Sequence, residues 1–219
     1  VTGVQTCALP IFLRLFYRKL ETVDVAMIQV SLPDHHGYVS LGVSLDITRA
    51  ALESARIVIA QMNRSMPRVH GDTFLHLRDI HYIVHHDEPL LEYEAQVPSE
   101  IADRIGQYVA RIVEDGDTLQ VGYGSLPNAI LAHLKDKKNL GVHTELLTDG
   151  IVELMRAGVV DNSRKTLLRG KTVATFCMGK QATYEFLHDN PSVEFRTIDF
   201  TNNPLNIARN RGMTAINSA

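Results

Sequence analysis

The 219-residue chain holds two cysteines, Cys7 and Cys177. That excludes a disulfide framework and every cysteine-rich zinc pattern. Metal spacing is missing as well. His35-His36 and His85-His86 are adjacent pairs, whose rings diverge on a strand, and no His-x-His or His-Glu-x-x-His run occurs. No apolar stretch approaches the ~20 residues of a membrane-spanning helix. The early run CALPIFLRLF is broken by Pro10 and Arg14 and does not read as a signal peptide. A basic excess is lacking too. The net charge is −3 and the pI is near 6.4, which argues against a nucleic-acid partner and, with the other absences, against a membrane partner. A reducing cytoplasm is the expected compartment. What the chain does have is apolar content, 45%, enough for a real core in one large or two small domains.

Residues 1–11, VTGVQTCALPI, reverse-translate readily into a common sequencing-library adapter. They are read as adapter-derived and left out of the fold, and Cys7 with them. From Phe12 onward, strands alternate with helices. VDVAMIQVS (23–31) reads as a strand covered on both faces. A turn-rich loop follows, and Asp46 then caps a helix through about Arg56. RIVIAQMN and DIHYIVHHD are further strands, so the first half is built on a βαβ unit with parallel pairing. In the second half Ser99 is an N-cap, followed by an apolar stripe of Ile101, Ile105, Tyr108, Val109 and Ile112. TLQVGYG, LGVHTEL, KTVATFCMG and VEFRTIDF read as strands. SLPNAILAHLKDKK, GIVELMRAG and QATYEFLHDN read as helices, and MTAINSA begins one more strand. The expected class is α/β: two open sheets of mostly parallel strands with flanking helices, both incomplete. The expected division is the end part of a first domain over 12–90, a linker over 91–98, and the first part of a second domain over 99–219.

Two places invite chemistry. In QVGYGSLPNAI a strand runs into Gly122-x-Gly124 and a helix starts at Ser125. Glycines let a ligand approach the backbone, and a helix N-terminus offers unpaired N–H groups. The third glycine of a dinucleotide fingerprint is absent, because Pro127 stands there. A tight turn without a ligand fits the same residues. The second place is Glu145 in LGVHTELLTDG, a carboxylate near the end of an apolar strand. Successive parallel strands present their carboxyl ends at one edge, so Glu145 is expected to face the glycine turn. A carboxylate beside backbone donors suits acyl transfer. A helix-capping or solvent-facing glutamate is the alternative. His143 shares the strand face of Glu145 and either tunes it or makes a core hydrogen bond. Arg68, His70 and Asp72 in MPRVHGD are candidates for a substrate pocket, or simply a turn. Lys137, Lys138 and Arg164 are candidates for contacts to an anionic ligand, or a solvated basic face. Asn202 and Asn203 are read as turn-capping, with binding as the alternative.

DGDTLQVGYGSLPNAILAHLKDKKNLGVHTELLTDGIVELMRAGVVDNSRKT resembles the acetyl-CoA hydrolase/transferase family, especially its 4-hydroxybutyrate CoA-transferase-like branch. The segments VAMIQVSLPDHHGYVSLGVSLDITRAALESARIVIAQMN, MPRVHGD, DNPSVEFRTIDFTNNP and MTAINSA resemble it in the same order. The resemblance implies an internal fragment of such a protein, since the family likeness continues past Ala219 into a further glycine-rich segment. It implies a glutamate nucleophile at Glu145 and a CoA carbonyl site along Gly122, Gly124, Ser125 and Leu126, with Asn128 in the helix behind. The implied substrates are an acyl-CoA and a small free carboxylate. No metal and no cofactor beyond CoA is implied, and a homodimer is the analogy. CoA transfer, acyl-CoA hydrolysis by the same glutamate, and a non-catalytic phospho-ligand module remain open.

Overall fold

The computed structural model describes residues 13–94 and 98–217. The adapter-like residues 1–11, with Cys7, and positions 95–97 of the expected linker lie outside the described residues.

The first half runs through β1 (Val23–Val30), β2 (Tyr38–Ser40), a helix Thr48–Ser54, β3 (Ala55–Met62), β4 (His70–Gly71), β5 (Phe74–His76) and β6 (Tyr82–His85). β1, β3 and β6 form a parallel sheet in that order, with Val30 opposite Met62 and Met62 opposite His85. The period of two is visible in β1: Ala26, Ile28 and Val30 are buried, while Val25 and Met27 are exposed. The all-apolar run therefore has one open face, not the two covered faces its composition suggests. Asp46 is not the N-cap, which is Ile47, but stands one residue before it and ties the helix entry. Its Oδ1 accepts from the Ile47 and Thr48 N–H groups at 2.6 and 3.2 Å. The helix stops at Ser54 because Ala55 is already extended.

The second half runs through a helix Glu100–Ala110, β7 (Thr118–Val121), a helix Ser125–Ala132, β8 (Gly141–Val142), β9 (Leu146–Leu147), a helix Asp149–Arg156, β10 (Thr172–Ala174), β11 (Phe176–Cys177) and a helix Gln181–Leu187. It ends with β12 (Val193–Phe195), short helices Ile198–Thr201 and Pro204–Ala208, and β13 (Met213–Ile216). Ser99 is the expected N-cap, with its Oγ accepting from the Ala102 N–H at 3.2 Å. The apolar stripe of this helix points outward, however. Ile101, Ile105, Tyr108 and Ile112 are exposed, and the small residues Ala102, Gly106 and Ala110 face the protein instead. Small side chains let this helix lie close against Ser125–Ala132.

All strand pairs of the second half are parallel. β13, β7 and β8 form one sheet and β10, β12 and β4 another, and a bridge between His143 and Val173 joins them. The outermost strand, β4, comes from the first half. Gly71 makes this possible. Its φ of +108° is one that glycine tolerates, and a Cβ there would collide with the Phe195 backbone of β12. Behind the sheets lie the fully buried Leu119, Leu131, Leu140, Leu147, Ile151, Leu187 and Phe195. Three expected long strands are broken, KTVATFCMG among them, which splits at Thr175 into β10 and β11. LGVHTEL bends at Glu145, and VEFRTIDF stops at Phe195 before turning into helix.

Candidate active site

The run His143-Thr144-Glu145 joins β8 to β9, and each residue fastens a different wall. His143 is buried, and its Nε2 lies 2.8 Å from the Thr201 carbonyl oxygen. A carbonyl only accepts, so Nε2 carries the proton. Burial, aided by the nearby Lys165 charge, pushes this imidazole down to about 4, so it is neutral at pH 7. The Thr144 hydroxyl donates to the Val121 carbonyl at 2.9 Å and accepts from the Val121 N–H at 3.1 Å. That clamps the run onto β7 one residue before Gly122. The Glu145 carbonyl accepts from the N–H groups of Thr175 and Phe176, at 2.9 and 3.2 Å.

These ties leave the Glu145 side chain half-buried at a cleft of about 410 Å³, shared with Gln120, Gly122, Tyr123, Phe176, Met178 and Asn217. Its Oε2 accepts from the Asn202 amide at 2.6 Å. Burial pushes the carboxyl above the ordinary glutamate range and the nearby Asp46 carboxylate adds to this, while the Asn202 hydrogen bond pulls it back. No cation pairs with Glu145 among the described residues. A carboxylate held by a neutral donor keeps a lone pair and most of its charge for an electrophile.

On the opposite side of the cleft, β7 ends and the chain turns. The Gly122 N–H donates to the Ile216 carbonyl at 2.7 Å, so that amide is used by β13. Gly124, with φ +130°, is the N-cap of the Ser125–Ala132 helix. The amides of the first helical turn have no intrahelical acceptor and face a favourable dipole. Of the glycine turn, Gly122 and Tyr123 share this cleft with Glu145, as parallel strand ends should, while Gly124 is not among the residues that line it.

Two family models match the chain, the acetyl-CoA hydrolase/transferase N-terminal domain over residues 10–92 and its C-terminal domain over residues 179–219. The chain belongs to the acetyl-CoA hydrolase/transferase family. The 4-hydroxybutyrate coenzyme A transferase of Clostridium kluyveri is 50% identical over 204 residues, which are 93% of this chain and 48% of that protein. Succinyl-CoA:cyclohexane-1-carboxylate CoA transferase of Geobacter metallireducens is 42% identical over 201 residues, 92% of this chain and 46% of that protein. The solved 4-hydroxybutyrate CoA-transferase from Porphyromonas gingivalis matches with a TM-score of 0.92 at 39% identity, over 96% of this chain and 54% of that one. The α/β arrangement described above is thus that of a CoA-transferase. The chain spans about half the length of the relatives it matches.

Within this family member, the other singled-out residues lie apart from the Glu145 cleft. Ser125 and Leu126 open the helix beyond it, and Asn128 lines a separate cleft with Lys135, Gly150 and Glu153. Arg68 is engaged by Asp34 at 2.8 Å and Asp189 at 3.2 Å, and stacks on Phe74. His70 stands 3.8 Å from Asp189. Asp72 pairs with Arg196 at 2.9 Å. Lys137 donates to the Val113 carbonyl, and Arg164 to that of Asp115, at the far end of β7. The residue that sequence reasoning placed elsewhere is Asn202. It holds Glu145, whereas Asn203 does the capping, with its Oδ1 accepting from the Leu205 N–H at 2.9 Å. Neighbouring asparagines after a buried helix were the signal; which of the two turns inward was not readable. No helix among the described residues is long and apolar enough to cross a membrane.

Proposed function

We propose that the protein carrying this chain moves CoA between an acyl-CoA and a free carboxylate, with Glu145 as the nucleophile. The observation that carries the reading is the half-buried, cation-free carboxylate held by Asn202 at the cleft of the glycine turn. The names of the relatives support it, since each is a CoA transferase acting on a short or alicyclic acid.

The Glu145 carboxylate attacks the thioester carbon, and the C–S bond breaks to release CoA thiolate. This leaves an acyl-glutamyl anhydride. The thiolate attacks the glutamyl carbon, expels the acyl group as a carboxylate, and forms a glutamyl-CoA thioester. An incoming carboxylate attacks that thioester, again releasing thiolate and forming a second anhydride. Thiolate attack on the new acyl carbon yields the product acyl-CoA and restores Glu145. Each step exchanges one activated acyl group for another, so no intermediate is a deep trap. The Gly122 N–H is held by the Ile216 carbonyl, so of the turn residues that line the cleft Tyr123 is the one whose amide would meet the oxyanion that develops in each attack. The sequence of steps needs no metal and no cofactor beyond CoA. Water excluded from the cleft keeps the anhydride from hydrolysis.

The test is mass spectrometry of the full-length protein after incubation with acetyl-CoA. A CoA-sized, hydroxylamine-sensitive adduct on the peptide containing Glu145 is expected. Its absence from an active enzyme sinks the mechanism. Thiol release that is the same with and without added acetate would make the protein a hydrolase instead.

A further inference from the structure

Behind the Glu145 cleft, two buried threonines from different elements touch. Thr175 sits at the break between β10 and β11, and Thr201 ends the short helix Ile198–Thr201. The Thr175 hydroxyl donates to the Thr201 hydroxyl at 2.8 Å, and the Thr201 hydroxyl donates to the Thr197 carbonyl at 3.3 Å. Both residues are also tied to the run that carries Glu145. The Thr175 N–H donates to the Glu145 carbonyl at 2.9 Å, and the His143 ring donates to the Thr201 carbonyl at 2.8 Å. Asn202 comes directly after Thr201, and its amide meets the Glu145 carboxylate at 2.6 Å. The bonds close a circuit. It leaves the Glu145 backbone through Thr175 and Thr201, and returns to the Glu145 side chain through Asn202.

Two apolar side chains of similar size would fill this space and leave no polar group to satisfy, so packing alone does not call for the hydroxyls. What their bond adds is direction. A helix of four residues has little rigidity of its own, and this bond fastens its last residue to the chain between β10 and β11. We propose that Thr175 and Thr201 are positioning residues for the Glu145 nucleophile, their paired hydroxyls fixing the helix end that presents the Asn202 amide to the carboxylate. The effect on turnover rests on the CoA-transfer reading. Charge leaves Glu145 when the side chain is acylated and returns when it is released. A donor fixed from behind keeps its place through both states, with no reorganisation at the moment of reaction.

The test uses the full-length protein. Thr175→Val together with Thr201→Val keeps a similar volume and leaves no orphan hydroxyl, and the Thr197 carbonyl still has a backbone N–H from position 201, at 3.1 Å. In this double variant kcat is expected to fall by about tenfold with KM within about twofold. The acid limb of the rate profile should move to higher pH, the direction that loss of the Asn202 hydrogen bond gives. Thr201→Ser keeps the hydroxyl and should behave as the unaltered protein. Thr175→Cys, a weaker donor, serves where the valines unfold the chain, and should move the limb the same way. Asp46 acts on Glu145 and Lys165 on His143, and no variant alters either. Adding Asn202→Ala to the double variant should lower the rate no further than Asn202→Ala alone. A lower melting temperature with kcat and the acid limb unchanged would make the threonines structural only and overturn the proposal. Full additivity with Asn202→Ala would overturn it too. An arm without turnover follows the Glu145 carboxyl by carbon-13 NMR, assigned by its loss in Glu145→Gln. Titration at higher pH in the double variant, with no CoA transfer by the unaltered protein, would fail the transferase reading and keep the positioning. Unchanged titration in a protein that does transfer CoA would fail the positioning.

Discussion

Glu145 and Asp72 are both part-buried carboxylates near the edge of the same joined sheet, yet their partners differ in kind. Asp72 meets the guanidinium of Arg196 at 2.9 Å, and Arg196 also pairs with Glu194 at 2.6 Å and lies over Phe200. Glu145 meets a neutral amide at 2.6 Å. The first carboxylate spends its charge on a cation and serves as a rivet between β4 and the chain after β12. The second is desolvated without being neutralised, which leaves it reactive. The lesson is that burial alone does not mark a chemical carboxylate; burial with an uncharged partner does.

Replacing the two carboxylates should separate them most clearly. Glu145→Gln keeps a side-chain oxygen for Asn202 but removes the nucleophile. CoA transfer by the full-length protein should fall by roughly 10⁴-fold or more, with little change in melting temperature. Normal turnover by this variant would erase the contrast with Asp72.

The wall behind Glu145 is predicted to be acid-labile. His143 has a folded pKa of about 4 against an ordinary value of 6.5. Between those values the unfolded chain binds the proton and the folded chain does not. Stability contributed by the neutral ring is therefore complete above about pH 6.5 and falls as pH drops toward 4. The loss is about 3 kcal/mol. Chemical denaturation at a series of pH values measures it, and His143→Gln should flatten the curve in that window.

Giving Glu145 a charged partner of the wrong sign sharpens the comparison further. Asn202→Asp places a second carboxylate at 2.6 Å. The pair should share a proton, move the acid limb of the rate profile to higher pH, and lower transfer at neutral pH by about 100-fold. Asn202→Ala removes only the hydrogen bond that lowers the carboxyl, so it should move the acid limb the same way but by less. The smallest effect belongs to Asp72→Asn. Arg196 retains Glu194, the pair is partly exposed, and the cost should stay within about 1 kcal/mol with the pH profile unchanged.

Much of this was legible from local chemistry. The βαβ start, the Ser99 cap and the parallel alternation follow from patterns that act over a few residues. The meeting of Glu145 with Gly122 follows from strand order, which is why two separate motifs could be set beside each other in advance. The rest depends on distant backbone. Glu145 interrupts its strand because its carbonyl serves Thr175 and Phe176, thirty and more positions onward. His143 finds its acceptor at Thr201 and Glu145 its donor at Asn202, two consecutive residues at the end of a short helix. The outward stripe of Ile101, Ile105 and Tyr108 misleads for a similar reason. Close helix packing rewards Ala102, Gly106 and Ala110, so the larger side chains take the other face.

β4 belongs to the early part of the chain by sequence and to the late sheet by pairing, with Glu194 and Phe195 opposite His70 and Gly71. Severing the polypeptide between its halves would therefore unzip a ladder. The later piece would carry a raw flank along Val193–Phe195, ready to recruit a neighbouring copy. Heat should melt both halves together, in a single cooperative step.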